Sequence, residues 1–497
     1  MDLCNKSYIM NKLQFYISTF LLVALNLSFS QTHTGVSKKW TLKECIEYAL
    51  ENNISIKQSF LDVENTELTK KDAIGNYLPS INGSISNAWN TGLTQDITTG
   101  ILRNQTTRNS SYNITAGITV FRGLQNLRQL QLAKMQQLAA QYNLDKMKDD
   151  IALFVANNYL QVLLAKANLQ VIKEQNKVTQ DQIKRTQDLV DAGVLPRGDL
   201  LEIQATDAGE KQRITVAENN KQIALLALAQ LLQIKDYQNF DISDEDYMII
   251  DSGFSNKTFT ETFQAAKQNR NEIKIARQNL LIAKKNLQLA KGAYFPTLNA
   301  FINYNTRESG FKRIIQSVDP INPTITQPIG VVQETGQTVV GTFPNTILEE
   351  LNPLPFIEQL YRNDGISYGL SLNVPIFNGF STRNNVKRSL INVKRNQLLL
   401  EQATQDLEST VYQAYTDVKG ALKSYEAAVK TLQAQQLAYQ YAQERYDVGL
   451  TNAFDFSQAK FRYDNAQIEV NRTKYDYIFK LKVLELYFGV SPTQLKL

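Results

Sequence analysis

Catalysis and metal binding need side-chain types that are scarce in this 497-residue sequence. It contains one histidine, His33, and two cysteines, Cys4 and Cys45. With so few of these residues, histidine-based triads and multi-histidine metal sites are excluded. The sequence also has no phosphate-binding glycine loop. We therefore expect a protein that is not an enzyme and has no metal site and no cofactor.

Carboxylates in two similar turns, residues 190–199 and 446–455, are the remaining candidates for a function. Each turn has a glycine suited to a left-handed helix end and an aspartate suited to the N-cap of a returning helix. These are Gly193 with Asp199, and Gly449 with Asp455. Glu202 adds a carboxylate three residues after Asp199. Capping alone accounts for the glycines and aspartates, so the turns predict helical hairpins whatever their function.

The composition is that of a folded protein, with 43% apolar and 20% charged residues. The formal net charge of +5 is small for this length, and no long basic run is present. We therefore expect no nucleic-acid partner.

Residues 1–30 have the pattern of a secretory signal peptide. Lys12 supplies a positive charge, residues 15–27 are mostly apolar, and small serines precede the expected cleavage site. A membrane anchor is the alternative, but the apolar run is shorter than the roughly 20 residues that a spanning helix needs. Cleavage would leave Cys45 as the remaining cysteine, so no intrachain disulfide is expected.

The rest of the sequence is an internal repeat, with halves at residues 31–257 and 258–497. Tyr-x-Pro and Asp-x-Gly motifs recur in the same order in both halves. We interpret each half as helix, strand, loop, strand, long helix, turn and helix. The second half also has a long insertion, residues 309–365, and a short C-terminal tail.

The predicted strands show an alternation of apolar and small polar residues. The alternation is clearest at 366–376 and 112–120, with partner strands at 81–89 and 298–304. Such strands suit a half-buried sheet of a soluble protein, and they equally suit a membrane barrel with lipid outside and water inside.

Two proline-free segments, residues 123–191 and 379–447, predict very long helices. At 1.5 Å per residue each would reach roughly 100 Å, too long for a compact domain. The second segment has two seams of residues spaced by seven, which predicts left-handed supercoiling against neighbouring helices. In the first segment, Asn176 interrupts the corresponding seam.

The number of strands indicates that one chain is not enough. Four membrane strands cannot close a barrel, and an open edge in lipid leaves backbone groups without hydrogen bonds. Two chains would give eight strands with a largely filled interior, whereas three would give twelve strands and a passage. We expect a ring assembly and favour three chains.

Together these features resemble the TolC family of outer-membrane efflux ducts, over nearly the whole sequence after the leader. The motifs that carry the resemblance are Tyr-Phe-Pro at 294–296, Val-Pro-Ile-Phe-Asn-Gly at 374–379, and the two turns. The resemblance implies a mainly helical fold with membrane β-structure, built from internally duplicated coiled-coil hairpins and four strands per chain. In a homotrimer these would close as a twelve-stranded barrel in the outer membrane and an α-helical tunnel in the periplasm. The insertion at 309–365 and the short tail depart from the family pattern.

The resemblance also implies roles for the turns, where family members close the periplasmic mouth and dock an adaptor. The candidate aperture residues are Asp199, Glu202, Tyr446 and Asp455, and the docking turns contain Gly193 and Gly449. In the family, a tyrosine and an arginine of the second turn bind an acid of the first. The arginine position is Thr451 here, so we expect a weakened link between Tyr446 and Asp199.

Aromatic residues at the predicted strand–helix junctions are candidates for a girdle at the membrane interface. They are Tyr77, Phe121, Tyr294, Phe295 and Phe377. An ordinary place in the core explains any one of them nearly as well.

The leading hypothesis is an outer-membrane exit duct of a tripartite efflux or type I secretion system. The resemblance implies as partners a periplasmic adaptor, an inner-membrane pump of the RND, ABC or MFS type, and outer-membrane lipid. The alternative is a barrel-anchored coiled-coil surface protein with an adhesive role, although adhesins seldom fold back through two antiparallel pairs of rods.

Overall fold

The computed structural model describes residues 39–95, 102–244, 257–310 and 312–490. The predicted signal peptide and His33 lie outside these residues, as does the end of the C-terminal tail. The described part begins with strand β1 (Lys39–Trp40), which pairs in parallel with β4 (Asp241–Ile242).

Eight of the described helices form four pairs of equal length, with one member of each pair in either half of the sequence. The first half contains α1 (Leu42–Asn52), α2 (Ile54–Gly75), α3 (Gln125–Asp191) and α4 (Arg197–Leu231). The second half contains α5 (Phe259–Asn269), α6 (Asn271–Gly292), α8 (Ser381–Asp447) and α9 (Ala453–Tyr487). Helices α3 and α8 have 67 residues each. The two long helices predicted from the proline-free segments are thereby confirmed.

The two seams of α8 follow the predicted spacing of seven residues. Every seam position is buried or half-buried, whereas most residues between the seams are exposed. The positions are Val386, Val393, Leu400, Leu407, Ala414, Ala421, Ala428, Gln435 and Ala442 in one seam, and Val411, Val418, Tyr425, Leu432, Tyr439 and Tyr446 in the other. Val418 and Ala421 belong to one buried cluster with Tyr477, Leu481 and Leu484 of α9. Packing along this stripe, rather than helix propensity alone, stabilises so long a helix.

Four antiparallel strands form one sheet in the order β10–β5–β3–β2. These strands are β2 (Ser80–Gln95), β3 (Leu102–Arg122), β5 (Thr297–Ser309) and β10 (Gly365–Asn373). The helix-proximal ends of β10, β5 and β3 coincide, because the register pairs Asn373 with Thr297 and Thr297 with Arg122.

The sheet has one apolar face and one polar face. On the apolar face, Tyr368, Ile302, Ala116 and Ile81 lie side by side across the four strands. Leu370 lies on the same face and is 71% exposed. On the polar face, threonine hydroxyls donate to asparagine side-chain oxygens of β5 at 3.0 Å, from Thr115 to Asn303 and from Thr119 to Asn299. The predicted alternation is therefore confirmed.

Some strand boundaries were predicted wrongly. Strand β3 begins at Leu102, ten residues before the predicted start, because its first half is almost entirely polar and gives no apolar alternation. Strand β10 ends at Asn373 instead of Ile376. Pro375 explains the early end, since proline has no N–H to donate to a strand ladder.

The insertion at 309–365 folds largely as paired strands. Antiparallel pairs join β6 (Arg313–Val318) to β9 (Thr346–Leu351), and β7 (Thr324–Val331) to β8 (Thr338–Pro344). Between the two pairs, the Asp319 N–H donates to the Asn345 carbonyl at 2.8 Å, and Asn345 Nδ2 donates to Asp319 Oδ2 at 3.2 Å. Helix α7 (Phe356–Arg362) leads back to β10. The prolines of this segment thus lie mainly between strands or at a strand end, and Pro328 lies within β7, where its register with β8 shifts.

The chain divides into two compact units. One comprises the described residues within 1–57, 147–269 and 408–497, and it contains both turns. The other comprises those within 58–146 and 270–407, and it contains the four-stranded sheet. Among the helices that the structure describes, none has the length and apolar content to cross a lipid bilayer.

Candidate functional site

The two turns connect α3 to α4 and α8 to α9. Gly193 and Gly449 have φ angles of 75° and 73°, the left-handed conformation that the sequence predicted. After each glycine, a backbone N–H returns to the preceding helix, from Val194 to Leu189 at 2.9 Å and from Leu450 to Arg445 at 2.8 Å. This arrangement satisfies carbonyls at the end of a helix and requires a residue that tolerates positive φ.

The predicted N-caps are wrong by one turn. Pro196 caps α4 without a side-chain hydrogen bond, and Asn452 caps α9 by accepting from the Asp455 N–H at 2.8 Å. Asp199 and Asp455 instead lie at the third helical position. Their carboxylates still stabilise the helix starts, since free N–H groups make a helix N-terminus positive.

Tyr446 is buried between the two hairpins, with a side chain that is 1% exposed. Its hydroxyl shares a 3.1 Å hydrogen bond with the Thr186 hydroxyl of α3, and its ring stacks on Phe456 of α9 at 5.1 Å. Burial raises the pKa of Tyr446, and the negative charges of Asp199 and Asp447 raise it further. The sequence predicted a link from Tyr446 to Asp199; the structure gives the hydrogen bond to Thr186 instead.

An ion pair that the sequence did not reveal also joins the hairpins. The Arg185 guanidinium of α3 donates to both carboxylate oxygens of Asp447 at 3.1 Å. The sequence analysis placed the family's arginine position at Thr451 of the second turn, whereas Arg185 belongs to α3. No local pattern marks Arg185 as the partner of Asp447, because the two residues are 262 positions apart in the sequence.

The other predicted aperture residues lie nearer the surface. Asp199 is half-buried, and Glu202 and Asp455 are exposed. Asp455 Oδ2 accepts from the Thr451 hydroxyl at 3.4 Å, so it is held within its own turn. Within the turns that the structure describes, no hydrogen bond or ion pair joins Asp199, Glu202 and Asp455 to one another.

The predicted interface aromatics lie where the sheet meets the helices. All five are exposed by 38% to 75%, with Phe121 the least and Phe377 the most exposed. At each strand-to-helix junction, two consecutive residues have positive φ: Gly123 with Leu124, and Gly379 with Phe380. The two halves of the repeat therefore enter their long helices through the same backbone turn.

We predict that Tyr446→Phe weakens the contact between the hairpins by about 0.5–1.5 kcal/mol, because it removes one hydrogen bond and keeps the ring. The check is a double-mutant cycle with Thr186→Val, read out by unfolding of the purified protein. A coupling energy near zero would mean that the 3.1 Å contact does not stabilise the turns.

Long helical hairpins and an amphipathic four-stranded sheet are the elements expected of a channel protein with a membrane part and a long helical part. The model of the outer membrane efflux protein family matches residues 45–232 and 353–490. The chain therefore belongs to the outer membrane efflux protein family.

Individual relatives agree with this assignment. The chain is 23% identical to the outer membrane protein TolC of Vibrio cholerae over 375 residues, which are 73% of this chain and 72% of that protein. It is 21% identical to the protein CyaE of Bordetella pertussis over 422 residues, 84% of this chain and 77% of that protein. Its fold is similar to that of the CmeC outer membrane channel of Campylobacter jejuni, with a TM-score of 0.66 and 16% identity. The match covers 92% of this chain and 86% of that chain. The predicted non-enzymatic, TolC-like outer-membrane channel with a periplasmic helical part is thus confirmed.

Proposed function

We propose that the chain is the exit duct of a tripartite efflux or type I secretion system, working as a homotrimer with a periplasmic adaptor and an inner-membrane pump. The observation that carries this proposal is the sheet, in which the outermost strands β2 and β10 each have one neighbour within the described chain. Three copies would pair β2 of one chain with β10 of the next and close twelve strands. Lipid favours such closure, because an unpaired edge costs several kcal/mol for each unsatisfied group.

The two faces of the sheet fit this arrangement. The apolar face would contact lipid and the threonine–asparagine face would line a water-filled passage. Tyr77, Phe121, Tyr294, Phe295 and Phe377 would form the periplasmic girdle. The insertion at 309–365 continues from the strand ends opposite the helices and would therefore face the cell exterior. The signal peptide, 1–30, would be removed, and the repeats, 31–257 and 258–497, would each supply two strands.

The turns would form the periplasmic mouth. Asp199, Glu202 and Asp455 from three chains would line it with carboxylates, and the exposed turns at Gly193 and Gly449 would dock the adaptor. Tyr446 and Arg185 would hold the hairpins of one chain together. An enclosed ring of carboxylates attracts cations, so the mouth would favour cation passage.

The test is conductance of the purified protein in a planar bilayer, together with cross-linking in native membranes. We expect discrete channels, cross-linked species that end at three chains, and a cation preference that falls in Asp455→Asn. Asp62→Asn is the matched control, because it removes one exposed charge from α2, outside the turns. A protein that inserts as a stable monomer, or that never conducts, would contradict the duct.

A further inference from the structure

A cluster of charged side chains is buried where α4 meets α9. It begins about two helical turns into α9, counted from the turn at 446–455, and we call this turn and the one at 190–199 the tip turns. Glu210 of α4 and Lys460 and Asp464 of α9 are 6%, 3% and 5% exposed. Asn176 of α3 joins them, because its amide donates to Glu210 Oε2 at 3.1 Å and to Asp207 Oδ1 at 2.9 Å. The residue that interrupts the seam of α3 is thus part of a polar core.

The charges in this cluster do not balance. Lys460 Nζ lies 2.5 Å from Glu210 Oε1 and 3.2 Å from Asp464 Oδ2, so one ammonium serves two carboxylates. The second oxygen of Asp464 is buried and has no hydrogen-bond partner among the described residues. Burying an uncompensated carboxylate is costly, whereas the protonated, neutral form is much less so.

Titratable groups face Asp464 from three helices, its own helix α9 and the neighbouring helices α4 and α8. Lys460 and Tyr463 belong to its own helix, Glu210 and Arg213 to α4, and Tyr439 to α8. Burial raises the pKa of Asp464; Lys460 and Arg213 oppose this shift and Glu210 adds to it. Burial and the charge of Asp464 also raise the pKa of Tyr439 to about 12, so this tyrosine stays neutral.

We propose that Asp464 is a proton-binding site that tightens the contact between α4 and α9 when the surroundings become mildly acidic. Protonation would leave one carboxylate, Glu210, with one ammonium, Lys460, and the buried cluster would become neutral. Both helices start at the tip turns, so the tighter contact also favours a closed mouth. This last consequence rests on the proposed duct; the proton-dependent contact does not.

The direction of the pH effect follows from the linkage between proton binding by Asp464 and the packing of α4 against α9. A carboxyl with a raised pKa in the packed state stabilises that state fully below its ordinary pKa, and this contribution is lost as pH rises through the raised value. Asp207 acts in the opposite sense: burial raises its pKa, but hydrogen bonds from Lys211 and Asn176 outweigh burial and lower it. The contribution of Asp207 to stability changes with pH below the ordinary aspartate pKa of 3.8, whereas that of Asp464 changes above it. The two groups therefore act in different pH ranges.

The experiment measures the α4–α9 distance in the full-length protein by spin labels at Ala208→Cys and Arg462→Cys, both exposed positions. Cys45 is buried and does not compete for the label, and Cys4 lies in the predicted signal peptide, which processing would remove. We expect a reversible shift to shorter distances as pH falls from neutral to mildly acidic. Asp464→Asn, which imitates the neutral form, should show the short distance at both pH values. Glu210→Gln should move the midpoint to lower pH, because a like charge near Asp464 is removed.

The matched control is Asp476→Asn on the same helix, where the carboxylate is 39% exposed and pairs with Lys480 at 3.0 Å. It should keep the wild-type pH response. A response that survives in Asp464→Asn, or a wild type without one, overturns the proposal. Bilayer conductance of the same variants separates the two ideas: a channel that never conducts refutes the duct, while the distance measurement still decides on the proton site.

Discussion

The substitution Leu370→Arg is expected to abolish the assembled protein in the outer membrane. Leu370 lies on the apolar face of β10, the edge strand that would meet the next chain, and is 71% exposed in the single chain. An arginine facing lipid at the middle of a membrane strand costs about 2–4 kcal/mol. Three copies would multiply this cost, which then rivals the roughly 5–15 kcal/mol that stabilises a typical folded protein.

The matched control is Ser371→Arg, one residue along the same strand and on the opposite face. That face would line the passage, so the arginine stays in water and assembly should be retained. The measurement is the heat-sensitive trimer band in the outer-membrane fraction. Equal loss of the trimer in both variants would show that the two faces do not meet lipid and water as proposed.

The long helices, the turns and the clearest strand could be predicted, because each depends on residues that are close together in the sequence. The absence of proline and the spacing of seven in 379–447 determine a long helix with buried seams, and both are visible without knowing the partner. Gly193 and Gly449 were placed correctly for a similar reason, since a left-handed helix end depends on the residue itself. Strand β10 was visible because Tyr368, Leu370 and Leu372 alternate with small polar residues.

The errors concern features that depend on distant parts of the chain or on backbone geometry. The first half of β3 is polar, and its pairing with β2 is set by the register of the sheet rather than by alternation of its own residues. The N-caps were displaced because an aspartate suits both the cap and the first turn. Tyr446 was assigned to Asp199, but its partner is Thr186, 260 residues away in the sequence.

The buried charges were missed for the same reason. On a single helix Lys460 and Asp464 are an ordinary i,i+4 pair, which usually lies in solvent. They become a core feature because Glu210, 250 residues earlier, approaches them from α4. Nothing in the sequence around Lys460 distinguishes it from Lys474 and Lys480, which are only half-buried on the same helix.

The substitution Lys460→Met is expected to destabilise the contact between α4 and α9 by about 3–5 kcal/mol, because it leaves Glu210 and Asp464 buried without their cation. Methionine keeps an unbranched chain of similar length, so loss of packing contributes little. The measurement is denaturant unfolding of the purified protein followed by helical circular dichroism. Cleavage by added protease near the tip turns should increase in parallel, since α4 and α9 separate more often.

Two control variants test whether the loss of stability in Lys460→Met comes from the buried cluster. Arg472→Met removes a cation from the same helix, but its pair with Glu469 is exposed by 56% and 48%, so the loss should be about 0–1 kcal/mol. Replacing the whole cluster, with Lys460→Met, Glu210→Leu and Asp464→Leu combined, should recover the lost stability or exceed the wild type, because no buried charge remains. If Lys460→Met costs no more than Arg472→Met, the ammonium does not compensate the two carboxylates. The triple variant should also lose any dependence of the helix contact on mild acid, which ties the unfavourable charge of the cluster to its response to protons.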